Sequence, residues 1–316
     1  MAHLIINERV KSLECQAQAL LIRKEQQPPL TIPLRRLDTL VLLHSVSIPS
    51  RLISTAQEMG IALVYINTHR LSRSFTIAPP GSNLAQRKLR QLLLLNQTHQ
   101  RTELVRYWIN VKMNRMLKAV DGCMQRRPEF RKPLFDAHQQ IMTCRQALNN
   151  QQTIDQLRGL EGRAQHSWFR AFRCLVPASL GFQKRQRRPA KDPVNALLSL
   201  TYTRVYLLVW EVILASGLDP SVGFYHKSTP SRQALACDVM EPVRPLAELF
   251  VMQRFNQRML RAHDFVLSGQ GCFLKPEALQ RFQSEFEQES RSWKRLLRIY
   301  ANTLIKRMEA VEYHGG

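Results

Sequence analysis

Up to about residue 77 the apolar residues come in short runs. "HLIINERV", "ALLIRK", "LTIPL", "LDTLVLL", "ALVYIN" and "SRSFTI" are strand-length and separated by polar turns, the spacing of partly or fully buried strands. One short helix is expected among them, from about Pro49 to Met59, because proline suits a first helical turn and Gly60 can supply the left-handed stop. "APPGSN", residues 78–83, breaks the pattern with two prolines and a glycine, and Ser82 or Asn83 can cap the next helix. Beyond it the period becomes helical. Residues 84–120 carry apolar positions on one side and a basic remainder, and further helices are expected at about 135–150, 153–173, 193–216, 238–264 and 276–311. The chain shows no internal repeat. The pattern predicts an α+β protein: a small β-sandwich-like N-terminal domain (1–77) with one short helix, a linker (78–83), and a large all-α domain (84–316).

Charge changes the picture next. The 316 residues are 44% hydrophobic, enough for a core, yet the formal net charge is +22. A protein this basic is expected to meet a polyanion, DNA or RNA before an anionic membrane. The excess is clustered: twelve Lys/Arg against three acids from Leu84 to Pro133, five basic residues of eight from Lys184 to Lys191, and six more from Arg291 to Arg307. Any single run could be a solvated helix face, but three with so few acids favour phosphate contact. No basic segment followed by an apolar stretch opens the chain, so a signal peptide is not expected. The most apolar span, "NALLSLTYTRVYLLVWEVILASGL", is interrupted by Arg204 and Glu211 and reads as a bundle-core helix rather than a membrane span. The six cysteines form no CxxC pair; they suit packing in a reducing cytoplasm.

Several chemistries have no motif. There is no G-x-S-x-G, no cysteine with an evident histidine partner, and no Gly-rich phosphate loop after a strand. His263–Asp264 is a lone dipeptide, read as helix surface. His166 follows Glu161 by five residues, about 140° around a helix, so the two cannot easily grip one ion. A better group lies between Gly223 and Pro245. His226 follows a glycine-led aromatic turn, while Asp238 and Glu241 stand three apart on one face of a helix starting near Cys237. Glu161, His226 and one or both acids could converge on a divalent ion, since carboxylate oxygens suit Mg²⁺ and an added imidazole admits Mn²⁺. The alternatives are a structural histidine, and an N-cap Asp238 with Glu241 completing a capping box.

Read together, these stretches resemble the CRISPR-associated adaptation integrase, the universal Cas family that inserts new spacers. Gly159, Glu161, Gly162, Ala164 and Phe169 are similar to its "G-x-E-G-x-A…F" helix. Gly223, Phe224, His226, Asp238, Met240, Glu241, Arg244 and Pro245 resemble its "G-F-x-H…D-x-M-E-x-x-R-P" segment. Asp192, Asn195 and Tyr202 resemble a third motif between them, and the stretch from Ile32 to Asn67 resembles the family's β-domain run. Ser167 and Trp168 depart from the family's usual residues, as do Tyr225 and the "CDVMEP" context, but none of the ligand types is altered.

The resemblance implies metal-dependent strand transfer: the 3′-hydroxyl of a DNA fragment attacks a phosphodiester at the edge of a repeat. It implies catalytic roles for Glu161, His226, Asp238 and Glu241, with Glu161, His226 and Glu241 holding Mg²⁺ or Mn²⁺ and Asp238 orienting the site. It also implies DNA as substrate, a homodimer, a small ferredoxin-like second adaptation protein as partner, and no membrane. Free-standing structure-selective hydrolysis in repair, or a non-catalytic scaffold, stay open on the residues alone.

Overall fold

The computed structural model describes residues 3–6, 9–67, 73–77, 79, 84–186, 189–227, 229 and 233–310. Two sheets build the N-terminal part. Strands β1 (His3–Ile6), β5 (Thr39–Leu42), β6 (Ala62–Tyr65) and β7 (Phe75–Ile77) form one sheet in that order. The first three are parallel, and β7 is antiparallel to β6. Strands β2 (Ser12–Gln16), β3 (Ala19–Arg23) and β4 (Leu30–Pro33) form the second, antiparallel sheet. Helix α1 (Ser50–Glu58) is the crossover between parallel β5 and β6, and the chain turns out of it at Gly60, φ +74°.

The run "TLVL" in β5 is apolar throughout because both faces are covered. Leu40 and Leu42 join Leu13, Leu20, Leu52 and Leu63 in a core between the sheets and α1. Val41 and Val64 face the other way, toward Leu207 and Leu214 of helix α6 (Pro193–Ala215). Strand β2 was not among the expected runs. Its hairpin to β3 turns at Ala17 and Gln18, φ 46° and 60°, a left-handed pair normally announced by Asn or Gly.

The remainder is helical: α2 (Leu84–Asn96), α3 (Thr98–Arg126), α4 (Arg131–Gln146), α5 (Ile154–Leu175), α6, α7 (Ala234–Met240), α8 (Arg244–Asn256) and α9 (Pro276–Glu309). Trp108, Trp168, Phe172, Phe250 and Trp293 lie in its core. Among the described residues α6 is long and apolar enough to cross a membrane, but it packs against α8, α9, β5 and β6. Five of the six cysteines are buried, four of them in these cores.

Four sequence expectations are corrected here. The helix expected over 84–120 is two, because Gln97 adopts an extended conformation (φ −88°, ψ 92°) between α2 and α3. The helix expected over 238–264 is interrupted at Glu241–Val243 by a single 3-10 turn, where Pro242 has no N–H to continue the ladder. The C-terminal part is also not wholly helical: β8 (Phe265–Ser268) and β9 (Gly271–Leu274) form a hairpin. Its Val266, Leu267 and Phe273 are exposed, so no core-facing alternation marks it in the sequence. His263–Asp264 is a 3-10 turn ahead of that hairpin, not helix surface. Its Asp264 accepts from Arg261 N at 2.7 Å and pairs with Arg281. Of "APPGSN" only Pro79 is described, so the linker and its Ser82 and Asn83 caps lie outside the described residues.

Candidate metal centre

Glu161 stands two turns into α5, whose start is fixed by a capping box: Thr153 accepts from Gln156 N, and the Gln156 side chain accepts from Thr153 N. Leu157, Leu160, Ala164 and Trp168 are the buried stripe of this helix. Glu161 sits at the edge of that stripe, 16% exposed. Gly159 and Gly162 flank it on the solvent side. A Cβ at Gly162 would meet nothing within 4 Å. Mid-helix glycine costs about 1 kcal/mol relative to alanine, so the two glycines lower the wall beside Glu161 without any packing need within the chain. His166 is at an exposed position of the same helix, as its angular offset from Glu161 requires.

His226 lies in the segment between α6 and α7, which is stapled from Ser216 to Phe224. Arg87 donates to Ser216 O at 3.0 Å, Gln91 to Asp219 O and Val222 O at 2.8 Å, and Arg101 to Phe224 O at 2.7 Å. Gly223 lets the segment press on the start of α7: a Cβ there would stand 2.4 Å from Ala234 Cβ. That approach delivers three consecutive N–H groups to one carboxylate. Asp238 accepts from Phe224, Tyr225 and His226 N at 2.6, 3.0 and 2.8 Å.

Asp238 is therefore not an N-cap, as one sequence reading allowed. It is inside α7, which starts at Ala234 rather than near Cys237. Its Oδ1 also lies 2.7 Å from His226 Nδ1. A carboxylate already accepting backbone donors makes Nδ1 the protonated nitrogen, leaving the Nε2 lone pair free. Nε2 faces Glu241 Oε1 at 3.8 Å.

Glu241 and Glu161 converge on the ammonium of Lys112, from α3. Lys112 Nζ donates to Glu241 Oε2 at 2.7 Å and also to Glu161 Oε1. Arg244 approaches Glu241 Oε1 at 3.2 Å. Burial works against the charge of Glu241, but Arg244, Lys112 and His226 outweigh it and hold its carboxyl down at about 2. Burial likewise opposes the Lys112 charge, and Glu161 and Glu241 overcome it, so its ammonium is held above the ordinary lysine range.

The structure thus brings Glu161, His226, Asp238 and Glu241 into one cluster. Among the described residues no three Asp, Glu, His or Cys side chains stand ready around a single point; Lys112 fills the space between the two glutamates. The donor set still suits a hard divalent cation: two carboxylates aimed at one positive charge, and an imidazole nitrogen oriented from behind. Lys112 and the buried Glu248 were missed in the sequence. Lys112 is one lysine in a basic helix, and only its position on the buried face of α3 between Trp108 and Met116 could have singled it out.

The family model described as "CRISPR associated protein Cas1" matches residues 4–288. The chain belongs to that family. A CRISPR-associated endonuclease Cas1 of Thermodesulfovibrio yellowstonii is 40% identical over 138 residues, 43% of this chain and 43% of that one. The stretch matched therefore spans less than half of that relative. A second Cas1 endonuclease, from Chlorobaculum tepidum, is 26% identical over 292 residues, 90% of this chain and 85% of that one. Among solved structures, a casposase bound to integration product superposes with a TM-score of 0.77 at 20% identity, covering 98% and 96% of the two chains. A Cas1–DNA complex superposes at 0.66 and 18%, with the same coverage. At these identities the structures share the Cas1 fold, a small β region before a large helical one.

Proposed function

We propose that this protein is a divalent-metal-dependent DNA integrase and endonuclease of CRISPR adaptation. It joins the 3′-hydroxyl of an incoming fragment to a phosphodiester at a repeat edge. The new P–O bond forms as the bond to the leaving 3′-oxygen breaks, so no protein nucleophile is needed. The observation that carries this reading is the convergence of Glu161 and Glu241, from separate elements, on one buried cation beside His226 Nε2.

Glu161, Glu241 and His226 Nε2 are the residues to hold Mg²⁺ or Mn²⁺. A bound ion there would supply Lewis-acid polarisation of a phosphoryl oxygen and activation of the attacking hydroxyl. Asp238 keeps the Nδ1 proton on His226 and the segment in place. Arg244 keeps Glu241 ionised. Gly159 and Gly162 let a DNA backbone approach Glu161. The exposed Arg163, Arg170 and Arg173 of α5 are placed to meet neighbouring phosphates.

We assign the boundary between the β domain and the catalytic domain to residues 78–83. The assembly we propose is a homodimer working in the cytoplasm with a small ferredoxin-like second adaptation protein. For the second protein, the support is a solved relative of the same fold described as a partial Cas6-RT-Cas1–Cas2 complex (TM-score 0.77, 23% identity). The test is incubation with Mn²⁺, short duplex DNA and a repeat-bearing plasmid, with and without the small partner. Joined product is expected. Cleavage without joining under both conditions would assign hydrolysis instead, and neither product would refute the enzyme.

A further inference from the structure

Lys112 occupies a position that packing alone would give to an apolar residue. On α3 it falls in the buried series Trp108, Ile109, Lys112, Met113 and Met116, and its side chain is 1% exposed. A buried ion pair is seldom more stabilising than well-packed apolar residues of similar volume, so stability does not explain the charge. Its two partners are the carboxylates that the proposed function assigns to a divalent ion.

Charge balance sharpens the point. Glu161 and Glu241 are already matched by Lys112 and Arg244, the latter 3.2 Å from Glu241 Oε1. With the Asp238 carboxylate behind His226 counted as well, a divalent ion added to this set would leave an uncompensated positive charge in a largely buried site, a costly state, whereas exchange for the Lys112 ammonium would leave none. The ammonium also stands between the carboxylates that would have to close on the ion. Arg244 binds Glu241 from a different oxygen and does not bridge to Glu161. Lysine, unlike arginine, is a point charge on a flexible four-carbon stem, so it can leave without dismantling the site. The rim it would move toward is formed by the partly exposed Glu161 and His226, where a DNA phosphate would arrive.

We propose that Lys112 is a tethered counter-cation: it holds Glu161 and Glu241 together until a divalent ion displaces its ammonium from between them, and it thereby weakens metal binding in the absence of DNA. This rests on the metal-site reading above. Lys112 is a positioning residue in this account, acting through the two glutamates.

The experiment is Mn²⁺ binding by titration calorimetry, without DNA, on the full-length wild type, Lys112→Met and Glu161→Gln. Lys112→Met is expected to bind Mn²⁺ about tenfold more tightly than wild type or better, the scale usual for coupled sites. A lysine that was only structural would give no gain. If Lys112→Met binds no more tightly than wild type while Glu161→Gln loses the ion, the exchange is wrong and the metal site stands. If Glu161→Gln binds like wild type, the metal site itself is wrong and the exchange falls with it. Should Lys112→Met not fold, the wild type carries the test through reductive methylation read by mass spectrometry. Lys112 should be nearly inert in EDTA and react several-fold faster in Mg²⁺, and equal rates in both would overturn the proposal.

Discussion

Glu241 and Glu248 lie seven residues apart around the start of α8, both are buried, and they are prepared for opposite ends. Glu241 meets two cations, Lys112 and Arg244, with His226 beyond. Glu248 meets neutral donors: Trp168 Nε1 at 2.6 Å, Gln165 Nε2 at 3.2 Å and the Tyr202 hydroxyl at 2.5 Å. Burial raises the Glu248 carboxyl, and the Tyr202 and Trp168 donors, with the charges of Lys112 and Arg244 that it does not contact directly, only partly offset it. The Glu241 carboxyl is held down instead. Burial alone therefore says little about a carboxylate. The neighbours decide whether it is a held negative charge, as Glu241 is, or a hydrogen-bonding hub, as Glu248 is.

The largest expected effect separates them directly. Glu241→Gln should cut DNA joining by about 10³-fold or more, the scale of losing a metal's contribution to a barrier, with DNA binding retained in a mobility-shift assay. Glu248→Gln should join at near wild-type rates, because the amide oxygen can still accept from Trp168 while its NH2 donates to the Tyr202 oxygen, whose hydroxyl can rotate. Equal losses in both variants would erase the distinction.

Gly223→Ala comes next. Its Cβ would stand 2.6 Å from the carbonyl carbon of Ala234, so the segment carrying His226 must shift off Asp238. Thermal or urea unfolding should show a loss of about 1–3 kcal/mol, as for overpacking in a core, and joining should fall with it. An unchanged stability would mean that the close approach is not what seats His226.

Acid titration sharpens the comparison further. Held at about 2, the Glu241 carboxyl contributes stability above the unfolded carboxylate range of about 4.3, and this is lost as pH falls from there toward 2. Glu248 runs the other way: with its folded carboxyl raised, ionisation costs stability above about pH 4.3, and the cost is relieved as pH falls. Urea unfolding at pH 5.5 and at pH 3 should show the advantage of wild type over Glu241→Gln shrinking in acid. Over the same interval wild type should gain on Glu248→Gln. The smallest effect concerns the exposed arginines of α5. Arg163→Ala and Arg170→Ala should each reduce the log–log salt slope of duplex binding by about 0.9, and an unchanged slope would remove them from the DNA face.

Much of this was legible in the sequence, for reasons that differ by residue. The turn of α1 at Gly60, the start of α5 after Thr153 and the start of α6 at Pro193 follow from local capping chemistry, which acts over a few residues. That Glu161, His226, Asp238 and Glu241 come together was legible through the ordered motifs, since helical spacing alone gave only the Asp238–Glu241 pair. What stayed hidden depends on tertiary contact. Asp238 looked like a cap because its true partners, the amides of residues 224–226, lie far back in sequence. Lys112 was lost among many basic residues because only burial distinguishes it. Hairpin β8–β9 buries Phe265 and Cys272 but turns Val266, Leu267 and Phe273 outward, and so carries no regular core-facing alternation. Its Gly271 approaches Ala190 O so closely that a Cβ would stand 3.0 Å away, a constraint that sequence does not announce.

The stapling of the segment before α7 has a consequence in time. Phe224, Tyr225 and His226 lie outside helix and strand, yet their amides end on a carboxylate with no exposed surface, and α2 and α3 grip the same segment from the other side. Solvent reaches those amides only if α7 or the clamps let go, so their hydrogen exchange belongs with that of a core helix and not with that of a loop. A site assembled this way spends no ordering entropy when its substrate arrives. The imidazole is already in place, and adaptation is left to the DNA and to the Lys112 ammonium.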